Sequence, residues 1–218
     1  MERNAPSGSP SDVRVLVPVK AFGRAKRRLS DRLDPPRRSA LARAMADTVV
    51  AAAAPLEVVV VCDDPDVADW ARSVGASVCD TAGLDLNGAL ELAVGEAASQ
   101  GVHRVVIAHA DLPFATGLDR FADPGDADVL IIPDRHGEGT NVMSIPTSPS
   151  FGLAYGPGSR HLHASAAARA GLSVRTFTDE PLGWDVDEPA DLSPPPELGA
   201  LPEPGSAATV DCHEGGGR

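Results

Sequence analysis

Apolar residues arrive in short continuous runs separated by alanine-rich amphipathic stretches. Val13 to Val19, Val58 to Cys62 and Val105 to Ala110 are dense in valine and isoleucine, the pattern of strands buried on both faces. Between them, Arg38 to Ala54, Asp66 to Ser73 and Asn87 to Ser99 read as helices, with a short strand at Ser77 to Cys79. Further on, Val129 to Pro133, Val142 to Ile145 and Val174 to Phe177 read as strands, with a helix from His161 to Ala170 before the last. This alternation predicts a single α/β domain whose sheet is mixed, mostly parallel and flanked by helices. Residues 1–12 and 193–218 are rich in Pro, Gly, Ser and Ala and are expected to be disordered tails around a domain spanning 13–192.

Charge sharpens this picture. The net charge is −12, yet from Arg14 to Arg43 ten Lys/Arg face two Asp/Glu, so the rest of the chain carries 20 net negative charges. A basic pole on an acidic body argues against nucleic acid as a general partner, which needs a broad basic surface. No stretch reaches the roughly 18 apolar residues of a membrane span, and the start of the chain lacks an apolar signal region. Cys62, Cys79 and Cys212 form no C-x-x-C pair, so reduced thiols in a cytoplasmic protein are expected; Cys212-His213 would bind metal only adventitiously.

The only two lysines, Lys20 and Lys26, both follow the first predicted strand, in Pro18-Val19-Lys20-Ala21-Phe22-Gly23-Arg24-Ala25-Lys26. An ammonium is a compact point charge that fits between phosphate oxygens, and Gly23 permits close backbone approach, so the loop is a candidate polyphosphate site. It matches neither a Walker A loop nor G-x-G-x-x-G.

Asp111 ends the cleanest buried strand and predicts an exposed, capping or cation-bound carboxylate, with Mg²⁺ favoured; His109 reads as a packed, supporting residue. Asp185 and Asp187, at i and i+2, could complete a Mg²⁺ site with Asp111, or Asp187 could cap a helix with Pro189 in its first turn; both can hold, with Asp185 on the metal. Gly137 to Asn141 and Gly152 to Ser159 bring Thr140, Gly156 and Ser159 into glycine-rich segments suited to a small anion, Ser159 also being an ordinary N-cap. Asn87 sits at a helix start, where it could cap.

In this order, P-V-K with G-R-A-K-R-R-L, L-N-G-A-L, A-D-L-P, P-D-R-H-G-E-G-T-N, Y-G-P-G-S and D-V-D-E-P-A-D-L resemble the 2-phospho-L-lactate guanylyltransferase family, whose similar actinobacterial members use phosphoenolpyruvate. The resemblance covers roughly residues 13–192. It implies a nucleotidyltransferase fold of the nucleotide-diphospho-sugar transferase kind, and transfer of GMP from GTP to a three-carbon phosphate acceptor in coenzyme F-420 biosynthesis. It further implies Mg²⁺ on Asp111, Asp185 and Asp187, acceptor contacts from Thr140, Gly156 and Ser159, and GTP contacts from Lys20, Gly23, Lys26 and Asn87. His109 departs from the small or apolar residue usual there. A homodimer is left open. The competing readings are a relative charging 3-phosphoglycerate, a sugar phosphate or molybdopterin, and a non-catalytic GTP-binding module.

Overall fold

A computed structural model of the chain describes residues 12–203; Cys212, His213 and most of both expected tails lie outside it. Seven strands form one sheet: β1 (Val13–Pro18), β2 (Glu57–Cys62), β3 (Ser77–Asp80), β4 (Arg104–Ala108), β5 (Val129–Ile132), β6 (Val142–Pro146) and β7 (Val174–Thr176). Their order is β3-β2-β1-β4-β6-β5-β7. β6 runs antiparallel to both β4 and β5, and the other pairings are parallel, so the sheet is mixed as its patterning implied.

The continuous apolar runs exist because helices cover both faces. Val15 and Val17 of β1 pack with Ala46 and Val49 of α1 (Pro35–Ala52) and with Trp70 of α2 (Pro65–Ser73). Leu16 and Ile107 point the other way, toward Leu90 and Ala93 of α3 (Leu86–Ser99) and Ala167 of α4 (Ser159–Arg169). Val105 through Ala108 are all fully buried, as a central strand requires. A short α5 (Glu180–Gly183) precedes the acidic segment.

Helix starts differ from those read in the sequence, for a shared reason. α1 begins at Pro35 rather than Arg38 because Asp34 accepts from the Arg37 N–H at 2.9 Å and two prolines preorganise the first turn. Asp64 does the same for α2 and Asp85 for α3. Asn87 is therefore inside the first turn and is not the cap. Likewise Gly158, not Ser159, caps α4, and Glu188, not Asp187, caps the 3-10 turn Pro189–Leu192.

β1 is the switch point: its connection leads to β2 on one side, while β4 is its neighbour on the other. Open α/β sheets bind ligands at the carboxyl ends of strands beside such a point. The loops after β1 and β4, carrying Lys20, Lys26 and Asp111, both emerge there.

A third, smaller cluster secures the acidic segment to this edge. Leu29, Leu41, Met45 and Val186 are buried together, with Trp184, Leu192 and Leu201 against them. Leu201 lies beyond the expected domain boundary. A single leucine amid Pro and Gly carries no periodicity, so its packing gave no signal in the sequence.

Candidate active site

Val186 is fully buried and its N–H donates to the Asp111 carbonyl at 3.2 Å. That bond seats the 185–187 segment on the loop after β4, with Asp185 and Asp187 flanking the buried valine. The Lys26 ammonium then bridges two carboxylates, 2.7 Å from Asp111 Oδ2 and 3.0 Å from Asp187 Oδ1. Only 9% of the Lys26 side chain is exposed, against 22% for Asp111. Its backbone is left-handed at φ 53°, a conformation that costs a non-glycine residue on the order of 1 kcal/mol and that the two ion pairs hold in place.

Electrostatics follow from this geometry. Burial, the largest single influence, pushes the Lys26 ammonium down and the Asp111 carboxyl up, but their ion pair together with Asp187 beside Lys26 and His109 beside Asp111 reverses it, so Lys26 is raised and Asp111 lowered. Asp185 is pushed up to about 6 by burial and then by the Asp111 charge, and its ion pair is a longer one. Its Oδ1 lies 3.5 Å from Asn141 Nδ2 and 3.8 Å from the Arg135 guanidinium. Burial lowers His109, whose ring packs on Tyr155 with centroids 5.0 Å apart, as befits a supporting residue.

A cleft of about 820 Å³ opens over these groups, within the range of small-molecule sites. Lys20, Lys26, Asp111 and Asp187 line it, as do Thr81 and Asp85. Gly23 does not; it borders a separate cavity, and a Cβ there would meet nothing within 4 Å, so no protein contact demands glycine. Asn87 spends its amide on the backbone of Tyr155, accepting from its N–H at 2.7 Å and donating to its carbonyl at 3.2 Å. It thus anchors the Gly152–Ser159 loop rather than facing the cleft.

Thr140 and Ser159 are brought together, hydroxyl to hydroxyl at 3.3 Å, but both are buried and neither lines the cleft. Gly156, at φ 139°, makes the preceding turn in a conformation that favours glycine. Gly139 is needed for another reason: a Cβ there would lie 2.7 Å from Asp134 Oδ2, which accepts from the Gly139 N–H and shapes the turn leading to Thr140.

Sequence reasoning missed the residues that hold the acidic segment. Arg135 donates to the Asp185 carbonyl at 3.2 Å and to the Asp191 carboxylate, and stacks over Trp184 at 4.5 Å. The other Asp191 oxygen accepts from the N–H groups of Asp187 and Glu188, both at 2.7 Å. Arg135 and Asp191 stand inside the quoted motifs, but nothing local pairs residues 56 positions apart. A planar fork that also stacks has no lysine equivalent. Arg135→Lys is therefore expected to cost about 2 kcal/mol and lower Tm by roughly 4–8 °C; an unchanged melting curve would show that Trp184 and Asp191 hold the segment unaided.

Three mutually repelling carboxylates, an Asp111 Oδ1 buried without a partner, and a cation already between two of them make a donor set chemically suited to a hard divalent ion. As they stand among the described residues, no three such side chains are close enough to hold one, and Lys26 lies between Asp111 and Asp187.

A family model described as "Guanylyl transferase CofC like" matches residues 13–194. The phosphoenolpyruvate guanylyltransferase of Sphaerobacter thermophilus is 34% identical over 82% of this chain and 89% of its own. The 2-phospho-L-lactate guanylyltransferase of Methanothermobacter thermautotrophicus is 36% identical over 82% of this chain and 81% of its own. Among solved structures, a nucleotide-diphospho-sugar transferase from Desulfovibrio desulfuricans G20 superimposes with a TM-score of 0.69 at 21% identity, covering 83% of this chain and 84% of that one, which speaks to the fold alone. With the family model spanning the whole sheet and the acidic segment, the chain belongs to the CofC-like guanylyl transferase family.

Proposed function

We propose that this protein moves GMP from GTP onto phosphoenolpyruvate, releasing pyrophosphate, in coenzyme F-420 biosynthesis. The observation that carries the reading is the Asp111–Lys26–Asp187 bridge at the switch point of the sheet, in a chain whose relatives include several named for that activity. 2-Phospho-L-lactate is the second acceptor considered, because the Methanothermobacter relative bears that name at a comparable identity. The buried free thiols Cys62 and Cys79 suit a cytoplasmic protein, and no helix among the described residues is long and apolar enough to cross a membrane.

In this reading an acceptor phosphate oxygen attacks the α-phosphorus of GTP in line. A new phosphorus–oxygen bond forms as the bond to the β-phosphate bridging oxygen breaks, and pyrophosphate leaves with the electron pair. The acceptor phosphate is already anionic at neutral pH, so no residue need remove a proton. Lys20 and Lys26 face the phosphates from the cleft and offset the charge that builds on the leaving group. Thr140, Gly156 and Ser159 orient the acceptor. Asp111, Asp185 and Asp187 would hold Mg²⁺, which supplies charge neutralisation at the phosphate oxygens when bound.

The test is pyrophosphate release by purified protein with Mg²⁺ and GTP, offered phosphoenolpyruvate, 2-phospho-L-lactate and 3-phosphoglycerate in turn, with CTP and ATP as donor controls. Release with GTP and phosphoenolpyruvate is expected. Silence with every acceptor despite GTP binding would replace the enzyme by a nucleotide-binding module.

A further inference from the structure

We propose that His163 is a positioning residue of the acceptor pocket, which by keeping its proton on Nδ1 turns the Thr140–Ser159 hydroxyl pair into a hydrogen-bond donor for an anionic acceptor. The proposal rests on the reading of Thr140 and Ser159 as acceptor contacts.

The proton's place follows from the partners of the ring. The Ala154 N–H donates to His163 Nε2 at 2.9 Å, so Nε2 must present a lone pair and the proton of the neutral ring sits on Nδ1. Nδ1 lies 3.1 Å from Thr140 Oγ1 and therefore donates to it. Ser159 Oγ donates to the same oxygen at 3.3 Å. Whichever hydroxyl of the pair donates to the other, one of the two protons is then left without an acceptor among the described residues. With the opposite tautomer, Thr140 would donate to Nδ1 and Ser159 to Thr140, which would consume both hydroxyl protons and leave the pair nothing to offer an anion. The tautomer of one buried ring decides whether this pocket donates.

The surroundings keep the ring in that state. His163 is fully buried, and the Tyr155 ring meets it edge-on with centroids 4.6 Å apart. Burial, and secondarily the nearby His109, push its pKa down to about 4, so the ring stays neutral in the physiological range. A second proton would aim Nε2–H at the Ala154 N–H.

The first turn of α4 offers no substitute donor. In the first turn of α4, Ser159 N donates to the Gly156 carbonyl, Arg160 N to Glu138, and His161 N and Leu162 N to Gly158, all within 3.1–3.2 Å. The helix N-terminus has already satisfied its donors, so the hydroxyl pair, not the end of α4, is what this helix offers an anion.

Two substitutions separate the two nitrogens. The glutamine amide reaches the place of Nε2 and keeps an acceptor for Ala154 while withdrawing the donor to Thr140; asparagine places its amide near Nδ1 and keeps that donor. His163→Gln is expected to raise KM for phosphoenolpyruvate about tenfold while kcat and KM for GTP stay within about twofold, and His163→Asn to recover part of the loss. Histidine ¹⁵N NMR of the wild type is expected to show one ring protonated on Nδ1 that does not titrate between about pH 5.5 and 8. An Nε2–H tautomer for His163 overturns the proposal, even if the variants fail to fold. So does a glutamine variant with unchanged acceptor KM, or one whose KM for GTP rises equally. Failure of the underlying reading looks different: there the wild type itself transfers GMP to no acceptor.

Discussion

Replacing Asp111 by asparagine is expected to leave a folded protein in which guanylyl transfer falls at least about 10³-fold, the size of effect that follows loss of a charge aimed at a reacting phosphate. The geometry explains why the fold survives. The backbone carbonyl of residue 111, not the side chain, accepts the Val186 N–H that seats the acidic segment, and the Leu29–Met45–Val186 cluster stays intact. Asparagine retains an oxygen for Lys26 at the position of Oδ2, so the ammonium keeps a hydrogen bond and its ion pair to Asp187. What disappears is the negative charge that counters burial at Lys26 and that, with Asp185 and Asp187, makes the site attractive to a hard cation. Thermal denaturation alongside the pyrophosphate assay checks both halves. Full turnover in Asp111→Asn would remove this carboxylate from the reacting centre; a collapsed melting transition would mean that the ion pair holds the loop.

How much of this could be read in advance divides along the range of the interactions. Strands were legible because burial on both faces leaves uninterrupted valine and isoleucine, as at Val105 to Ala108. Helix starts were not, because several capping side chains compete within two or three residues. Asp85 wins over Asn87 and Glu188 over Asp187, by the path of the chain entering the helix rather than by residue type. Lys26 and Asp111 stood out by rarity and by place at a strand end, and they meet across 85 positions. That Lys26 would rest between carboxylates was not readable, since a lysine suited to phosphate is equally suited to them. Thr140 and Ser159 were visible as polar residues among glycines. His163, one helical turn past Ser159, carries no signal in the sequence; only the fold buries it against Tyr155 and Thr140.

Lys26→Met is expected to have the second large effect, and on two observables that move apart. Methionine matches the length of the stem but leaves Asp111 buried and charged with no cation between it and Asp187, Arg135 reaching only Asp185. Breaking a largely buried pair by removing one partner costs about 3–5 kcal/mol, so the substrate-free variant should melt roughly 6–20 °C below the wild type. Turnover should fall about 10²-fold or more, because the charge offered to the leaving pyrophosphate is gone. Divalent cation should then act differently on the two proteins. On the proposed Mg²⁺ site, the ion would have to displace an ammonium 2.7 and 3.0 Å from its carboxylates in the wild type, whereas in the variant it would meet them without that ammonium. Millimolar Mg²⁺ without nucleotide is thus expected to raise the Tm of Lys26→Met by more than that of the wild type. Lys26→Arg probes shape rather than charge: a planar fork prefers one carboxylate bidentately over a point contact with two, so activity should fall while Mg²⁺ confers no extra stability. Equal Mg²⁺ responses in the wild type and the methionine variant would mean that lysine and metal do not share these carboxylates. A fully active Lys26→Arg would mean that any cation serves.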